Sequence, residues 1–276
     1  MPFSTLLACL RIDRSNTDLL AVVSETAQRF GSSVIGLVAK QASAHIHNRG
    51  AGPFESQEHD LQIVTERAAA AEEEFRAALS KVSNLEWRQQ LTFGPASEHV
   101  ANEARGADLV VAPIDHHDHL FSPSGQAEVG DLLLRLGRPV LGVPSGVSGL
   151  ELKKVLVCWK DSRETRRAVA DALPMLQASR QVDVVGIVAD AQGVEESRRR
   201  LASVCDWLAR NGVESRFSAE VSAGVEALKL SEIAEKLGAD LIVAGAFGHS
   251  RLREWAFGGV TKDLLLRADR CVLASH

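Results

Sequence analysis

Between positions 245 and 261 the chain reads Gly245-Ala-Phe-Gly248-His249-Ser-Arg-Leu-Arg-Glu-Trp-Ala-Phe-Gly258-Gly259-Val260-Thr261. An apolar run precedes this stretch, and apolar residues at helical spacing follow it. Glycine at 245 lets the backbone turn sharply as it leaves a strand. Glycine at 248 removes a side chain where a ligand would approach the main chain. Gly258 and Gly259 open the next helix, whose first N–H groups lack helical partners and lie at the positive end of its dipole. Such a place suits a phosphate. His249 lies in the loop, either near a phosphate or as an exposed loop histidine. Val260 and Thr261 fall in the first helical turn, where the Thr261 hydroxyl can reach a phosphate oxygen or cap the helix. The plain alternative is turn geometry with no ligand.

No catalytic arrangement stands out beside this loop. The chain lacks Gly-x4-Gly-Lys-Ser/Thr, and with it the lysine and hydroxyl of a P-loop NTPase. It also lacks the Gly-x-Ser-x-Gly elbow of a serine hydrolase. With no evident base or nucleophile, binding is expected, with hydrolysis at most slow. Asp115-His-His-Asp-His119 carries metal-ligand side chains, but adjacent residues cannot all face one ion, so a solvated loop is expected. His45 and His47 read as surface residues. Trp255 and Phe257 read as anchors of the loop, and Arg198-Arg-Arg200 as a solvated helix face. Arg251 and Arg253 lie within sequence reach of an anion.

The elements that position the loop emerge from self-comparison. Ala107-Asp-Leu-Val-Val-Ala112 recurs as Ala239-Asp-Leu-Ile-Val-Ala244, and Asp131-Leu-Leu-Leu-Arg135 recurs letter for letter as Asp263-Leu-Leu-Leu-Arg267. Leu6-Leu-Ala-Cys-Leu10 resembles Val155-Leu-Val-Cys-Trp159 at a wider offset, so the first copy holds extra residues, placed at about 40–56. In the second copy, short apolar runs at 154–159, 182–189, 213–219, 240–244 and 271–274 predict strands. Helical spacing predicts helices at 163–176, 191–211, 225–237 and 259–267. Apolar strands alternating with helices mean a parallel sheet covered on both faces. The fold expected is α/β, two tandem doubly wound five-stranded sheets, with domains at 1–146 and 150–276. Ligands then sit beyond the carboxyl ends of the strands, at the switch point. The segment 144–149 reads as a short flexible linker, and the copies as an internal pseudo-dimer.

At this point the chain resembles the universal stress protein family, whose nucleotide-binding members carry Gly-x2-Gly-x9-Gly-Ser/Thr after the fourth strand. Nearly the whole chain shares the resemblance, as a two-domain member. It implies a flavodoxin-like sandwich of strand order 3-2-1-4-5 that binds an adenine nucleotide (ATP, ADP or AMP), which Mg²⁺ can accompany. By position Gly245, Gly248 and Gly258 match the family glycines. Gly259 stands where the family has Ser or Thr. The family's Asp after the first strand falls on Lys160, with Asp161 one residue late, and Val188 would line the adenine pocket through its backbone. In the first copy Pro113, His116, Gln126 and Ala127 replace the four glycines, so no nucleotide is expected there. The resemblance implies binding and regulation; an interaction module that has lost its nucleotide and a slow ATP hydrolase are the alternatives.

Composition excludes other classes. Hydrophobic residues make up 45% and charged residues 24%, with a net charge of −5. That balance gives no reason to expect nucleic acid or an anionic membrane. The excess acid lies in the first half and the second is +1, so an anion meets less repulsion in the second. Four scattered cysteines, Cys9, Cys158, Cys205 and Cys271, form no CxxC pair and suit a reduced, cytoplasmic setting. No signal peptide or membrane span is read. A protein partner and a further homodimer stay open.

Overall fold

The computed structural model describes residues 3–41, 53–92, 95–114, 127–246 and 259–276. The first half runs β1 (Thr5–Cys9), α1 (Thr17–Phe30), β2 (Ser33–Gln41), α2 (Pro53–Ala78), β3 (Leu85–Thr92), α3 (Ala96–Glu103), β4 (Leu109–Ile114), α4 (Val129–Arg135) and β5 (Val140–Pro144). The second half runs β6 (Lys154–Trp159), α5 (Arg163–Asp171), α6 (Leu173–Ala178), β7 (Gln181–Val188), α7 (Val194–Arg210), β8 (Ser215–Val221), α8 (Glu226–Leu237), β9 (Leu241–Gly245), α9 (Gly259–Leu266) and β10 (Cys271–Ser275).

One ten-stranded sheet results, in the order β3-β2-β1-β4-β5-β10-β9-β6-β7-β8. Each half thus has the order 3-2-1-4-5, parallel throughout. The halves meet where β5 and β10 pair antiparallel, with Val140, Leu141 and Gly142 opposite Ala274, Leu273 and Val272. The central strands are apolar on both sides because helices cover both faces. One face is covered by α1, α2, α5, α6 and α7, through residues such as Leu20, Phe75, Val169, Met175 and Leu201. The other is covered by α3, α4, α8 and α9, through Val100, Leu132, Leu230 and Leu265. In each half the chain changes face when it steps back across its first strand to start the fourth. That step opens a crevice between β1 and β4, and again between β6 and β9.

The helix expected over 163–176 is two helices. Pro174 starts α6, and a proline inside a longer helix would lose an N–H bond and clash with the preceding turn. The strand expected at 213 begins at Ser215, because Val213 is still tied to the end of α7 by its N–H bond to the Leu208 carbonyl. The linker is not a flexible tether. Asp18 accepts the Gly146 N–H at 2.7 Å and Glu25 accepts the Leu150 N–H at 2.5 Å, while Arg29 donates to the Glu151 carbonyl. Leu150 and Leu152 are buried beside it, and Gly149 has no side chain to collide with Glu25. A carboxylate also holds the start of α1. Glu74, reaching over from α2, accepts from Ser15, Asn16 and Thr17. Burial pushes the Glu74 carboxyl up, but these hydrogen bonds outweigh it and hold it below the ordinary glutamate value.

Candidate functional site

A cleft of about 750 Å³ opens at the carboxyl ends of β6, β7 and β9, at the crevice of the second half. Of the residues singled out from sequence it gathers Asp161, Val188, Gly245, Val260 and Thr261. Gly259 begins α9 at its rim. Gly248, His249 and Gly258 lie outside the described residues, as do Arg251, Arg253, Trp255 and Phe257. The same holds for His45, His47 and the acid and histidine run at 115–119. Among the described residues no group of three or more ligand-type side chains could hold a metal.

Gly245 does a different job from the sharp turn expected of it. It is the last residue of β9, and its backbone is not left-handed. A Cβ there would lie 2.5 Å from the Thr165 nitrogen and 2.7 Å from the Glu164 carbonyl carbon. The absent side chain therefore lets the first turn of α5 close onto the strand end. The Thr261 hydroxyl is used internally as well: it donates to the Gly245 carbonyl at 2.8 Å, and the residue is 6% exposed. It neither caps α9 nor keeps its proton free for a phosphate. Ala246 donates to the Ser275 carbonyl at 2.8 Å, so both the next helix and the last strand hold the base of the loop.

Asp161 is exposed at the cleft mouth, with Arg166 3.5 Å away, and Lys160 beside it is exposed too. Ser162 caps α5 by accepting the Thr165 N–H. The Val188 carbonyl already accepts the Ser222 N–H at 2.9 Å, which leaves it one lone pair for a ligand.

Sequence reading missed part of the lining. Asp190, Glu196, Ser197, Arg200, Glu226 and Asp263 also face the cleft. Asp190 accepts the Gln192 and Gly193 N–H groups and starts a 3-10 turn, a role that Asp followed by Ala-Gln-Gly could have signalled. Arg200 was read as solvated because neighbouring arginines on a helix look alike in sequence. Only the placement of α7 distinguishes it. Among these lining residues Lys160 and Arg200 face five carboxylates, those of Asp161, Asp190, Glu196, Glu226 and Asp263.

The first half fills the matching place with its own charges. Arg11 stands at the repeat position of Lys160, and Glu128 at that of Val260. Arg11, 5% exposed, meets Asp13 through two bonds of 3.1 and 3.0 Å and lies 4.0 Å from Glu128, itself 8% exposed. Lys40, on β2, lies close enough to feel these charges. Burial, the largest effect, lowers its pKa. Pro113 sits in β4, beyond the last residue paired to β1.

The family model described as "Universal stress protein family" matches residues 151–276. A comparison with curated proteins finds no match. Among solved structures, a universal stress protein from Archaeoglobus fulgidus DSM 4304 is similar with a TM-score of 0.75 and 13% identity, covering 98% of this chain and 97% of its own. A putative universal stress protein from Pseudomonas aeruginosa UCBPP-PA14 gives a TM-score of 0.63 at 16% identity, over 99% and 93%. A functionally unknown protein from Pseudomonas aeruginosa PAO1 gives the same score and identity, over 99% and 92%. These likenesses extend over both halves, whereas the family model is met by the second. Residues 151–276 are thus a domain of the universal stress protein family, within a chain that carries the family's fold twice in tandem.

Proposed function

We propose that the second-half cleft binds one adenine nucleotide (ATP, ADP or AMP) and that the protein regulates a stress response in the cytoplasm rather than catalysing a reaction. One observation carries this reading. Asp161, Val188, Gly245, Val260 and Thr261, distant in sequence, converge on one cleft at the switch point, with the start of α9 at its edge. Its volume of about 750 Å³ falls in the range of small-ligand sites. The ligand anchors on the N–H groups of the α9 first turn, which have no partner within the helix. The lining is acidic, so a polyphosphate would be accompanied by Mg²⁺, whose charge would offset the carboxylates of Asp161, Asp190, Glu196, Glu226 and Asp263. The units are taken as 1–146 and 150–276, and the first binds no nucleotide because buried Arg11 and Glu128 stand in it where the second has Lys160 and Val260.

A second reading is an interaction module without nucleotide. It is favoured by the internal use of Gly245 and Thr261, which gives both a reason to be there with no ligand. Gly259 and Lys160, in place of the family's hydroxyl and carboxylate, favour it too. Mass spectrometry of small molecules released on denaturation, followed by calorimetric titration with Mg-ATP, separates the two. About one nucleotide per chain, lost in Gly248→Val, supports the first reading. An empty protein that gives no heat supports the second, and its partner is then sought by pull-down.

A further inference from the structure

Beside the cleft lies a second cavity of about 510 Å³, between α5 and α7. Arg166 and Val169 line it from α5. Arg200, Ser203, Val204 and Trp207 line it from α7, and Trp159 and Asp161 close it at the end of β6. The α7 residues form one stripe at helical spacing. Two indoles and two valines make an apolar floor, and two guanidinium groups stand at the rim. Trp159, Asp161 and Arg200 also line the nucleotide cleft, so the two cavities share a wall.

We propose that this groove is a second binding site, for a small planar aromatic body bearing one carboxylate or sulfonate. The inference does not rest on nucleotide binding in the cleft. Its volume suits one such molecule rather than a docked helix. Indole faces give a flat ring large contact with little entropy to lose, and Trp and Arg are the side chains that contribute most at binding sites. Charge sets the ligand's sign: two arginines stand against the single carboxylate of Asp161. Their present pairings are weak competitors. Arg166 lies 3.5 Å from Asp161 with both side chains more than 40% exposed, and Arg200 pairs with Glu196 along the open surface of α7. Each guanidinium has five N–H donors, so an anion can be added without breaking these contacts. The Trp159 Nε1 is buried and has no hydrogen-bond partner among the described residues.

The test uses the full chain and 8-anilinonaphthalene-1-sulfonate, whose rings and single sulfonate match the proposed chemistry. Its fluorescence, excited directly and through tryptophan, is titrated against the wild type, Arg166→Glu and Val204→Phe. Near-ultraviolet circular dichroism checks that each variant is folded. Saturable binding of one probe per chain is expected. It should weaken about ten-fold in Arg166→Glu, the scale of one charged hydrogen bond, and be lost when Val204→Phe fills the groove. Absence of binding to the wild type overturns the proposal, as does equal affinity in the folded variants. Self-association that Val204→Phe abolishes, with no saturable probe site, also overturns it and assigns the groove to a second copy of the chain.

Discussion

Gly245→Ala separates two reasons for a glycine at the mouth of the cleft. If the position serves only a ligand, the nucleotide-free protein should tolerate the methyl group. The structure says otherwise. The new Cβ would lie 2.5 Å from the Thr165 nitrogen and 2.7 Å from both the Glu164 carbonyl carbon and the Thr165 Oγ1. Two of these three atoms are backbone, so no rotamer change relieves them. Ordinary contact begins near 3.4 Å, so the first turn of α5 must retreat by about 0.9 Å. That turn is packed between β9 and β10 on one side and the cleft on the other, with Thr165 and Ala168 buried. Overpacking of this kind costs about 1–3 kcal/mol. At about 2–4 °C per kcal/mol for a protein of this size, melting should fall by roughly 2–12 °C. The assay is thermal melting of protein stripped of nucleotide. Unchanged melting with a selective loss of Mg-ATP binding would refute the packing argument and return Gly245 to the ligand.

Five further outcomes follow. Arg11→Ala should destabilise the protein by about 2–3 kcal/mol in urea, because it removes the buried guanidinium that meets Asp13 and lies 4.0 Å from Glu128; the cost is below that of a fully buried pair because Asp13 is 40% exposed. The double variant Arg11→Ala, Glu128→Ala should recover part of the loss. Glu25→Ala leaves the Leu150 N–H without its acceptor and should cost about 1–3 kcal/mol, read as an earlier urea midpoint. Burial pushes the thiols of Cys9, Cys158 and Cys271 up to about 12. Cys205 is half-buried and burial pushes its thiol up too, so in the native state at pH 8 it should react slowly with a thiol reagent and the other three not at all, while all four should react after denaturation. The same shifts have a definite sign for stability. Between the unfolded thiol value near 9 and about 12 the folded chain holds protons that the unfolded chain has lost, so urea stability should fall as pH rises through that window. Free ATP should bind more weakly than Mg-ATP in calorimetry, because five lining carboxylates face Lys160 and Arg200 in the cleft. Tighter binding in chelator than in Mg²⁺ would contradict that.

Much of the architecture could be read from residue order. Apolar runs such as Val155-Leu-Val-Cys and Leu241-Ile-Val-Ala can only be strands covered on both faces, and the repeat carries the same reading into the first half. Periodicity could not place Pro174's break, because the apolar spacing continues across it while the backbone cannot. Nor could it find the pinned linker. Pro144-Ser-Gly-Val-Ser-Gly149 looks like a tether in isolation, and its restraints come from Asp18 and Glu25, more than 100 residues earlier. The site was partly legible for the same reason. Glycine spacing marks where a side chain is missing, but only the placement of α5 shows what occupies the space above Gly245. The use of the Thr261 hydroxyl, the role of Arg200 and the ionic filling of the first half depend on contacts between distant elements, which no local pattern records.

The antiparallel pairing of β5 with β10 has a consequence for how such a chain can change. If two identical chains met at this edge, every substitution would appear on both sides of a two-fold axis. A proline at position 113 or an arginine at position 11 would then be imposed on both units. Joining the units in one chain removes that constraint. It also makes the short pairing of 140–142 with 272–274 intramolecular, so it persists however dilute the protein is. One unit is thereby free to fill its crevice with charge while the other keeps its crevice open.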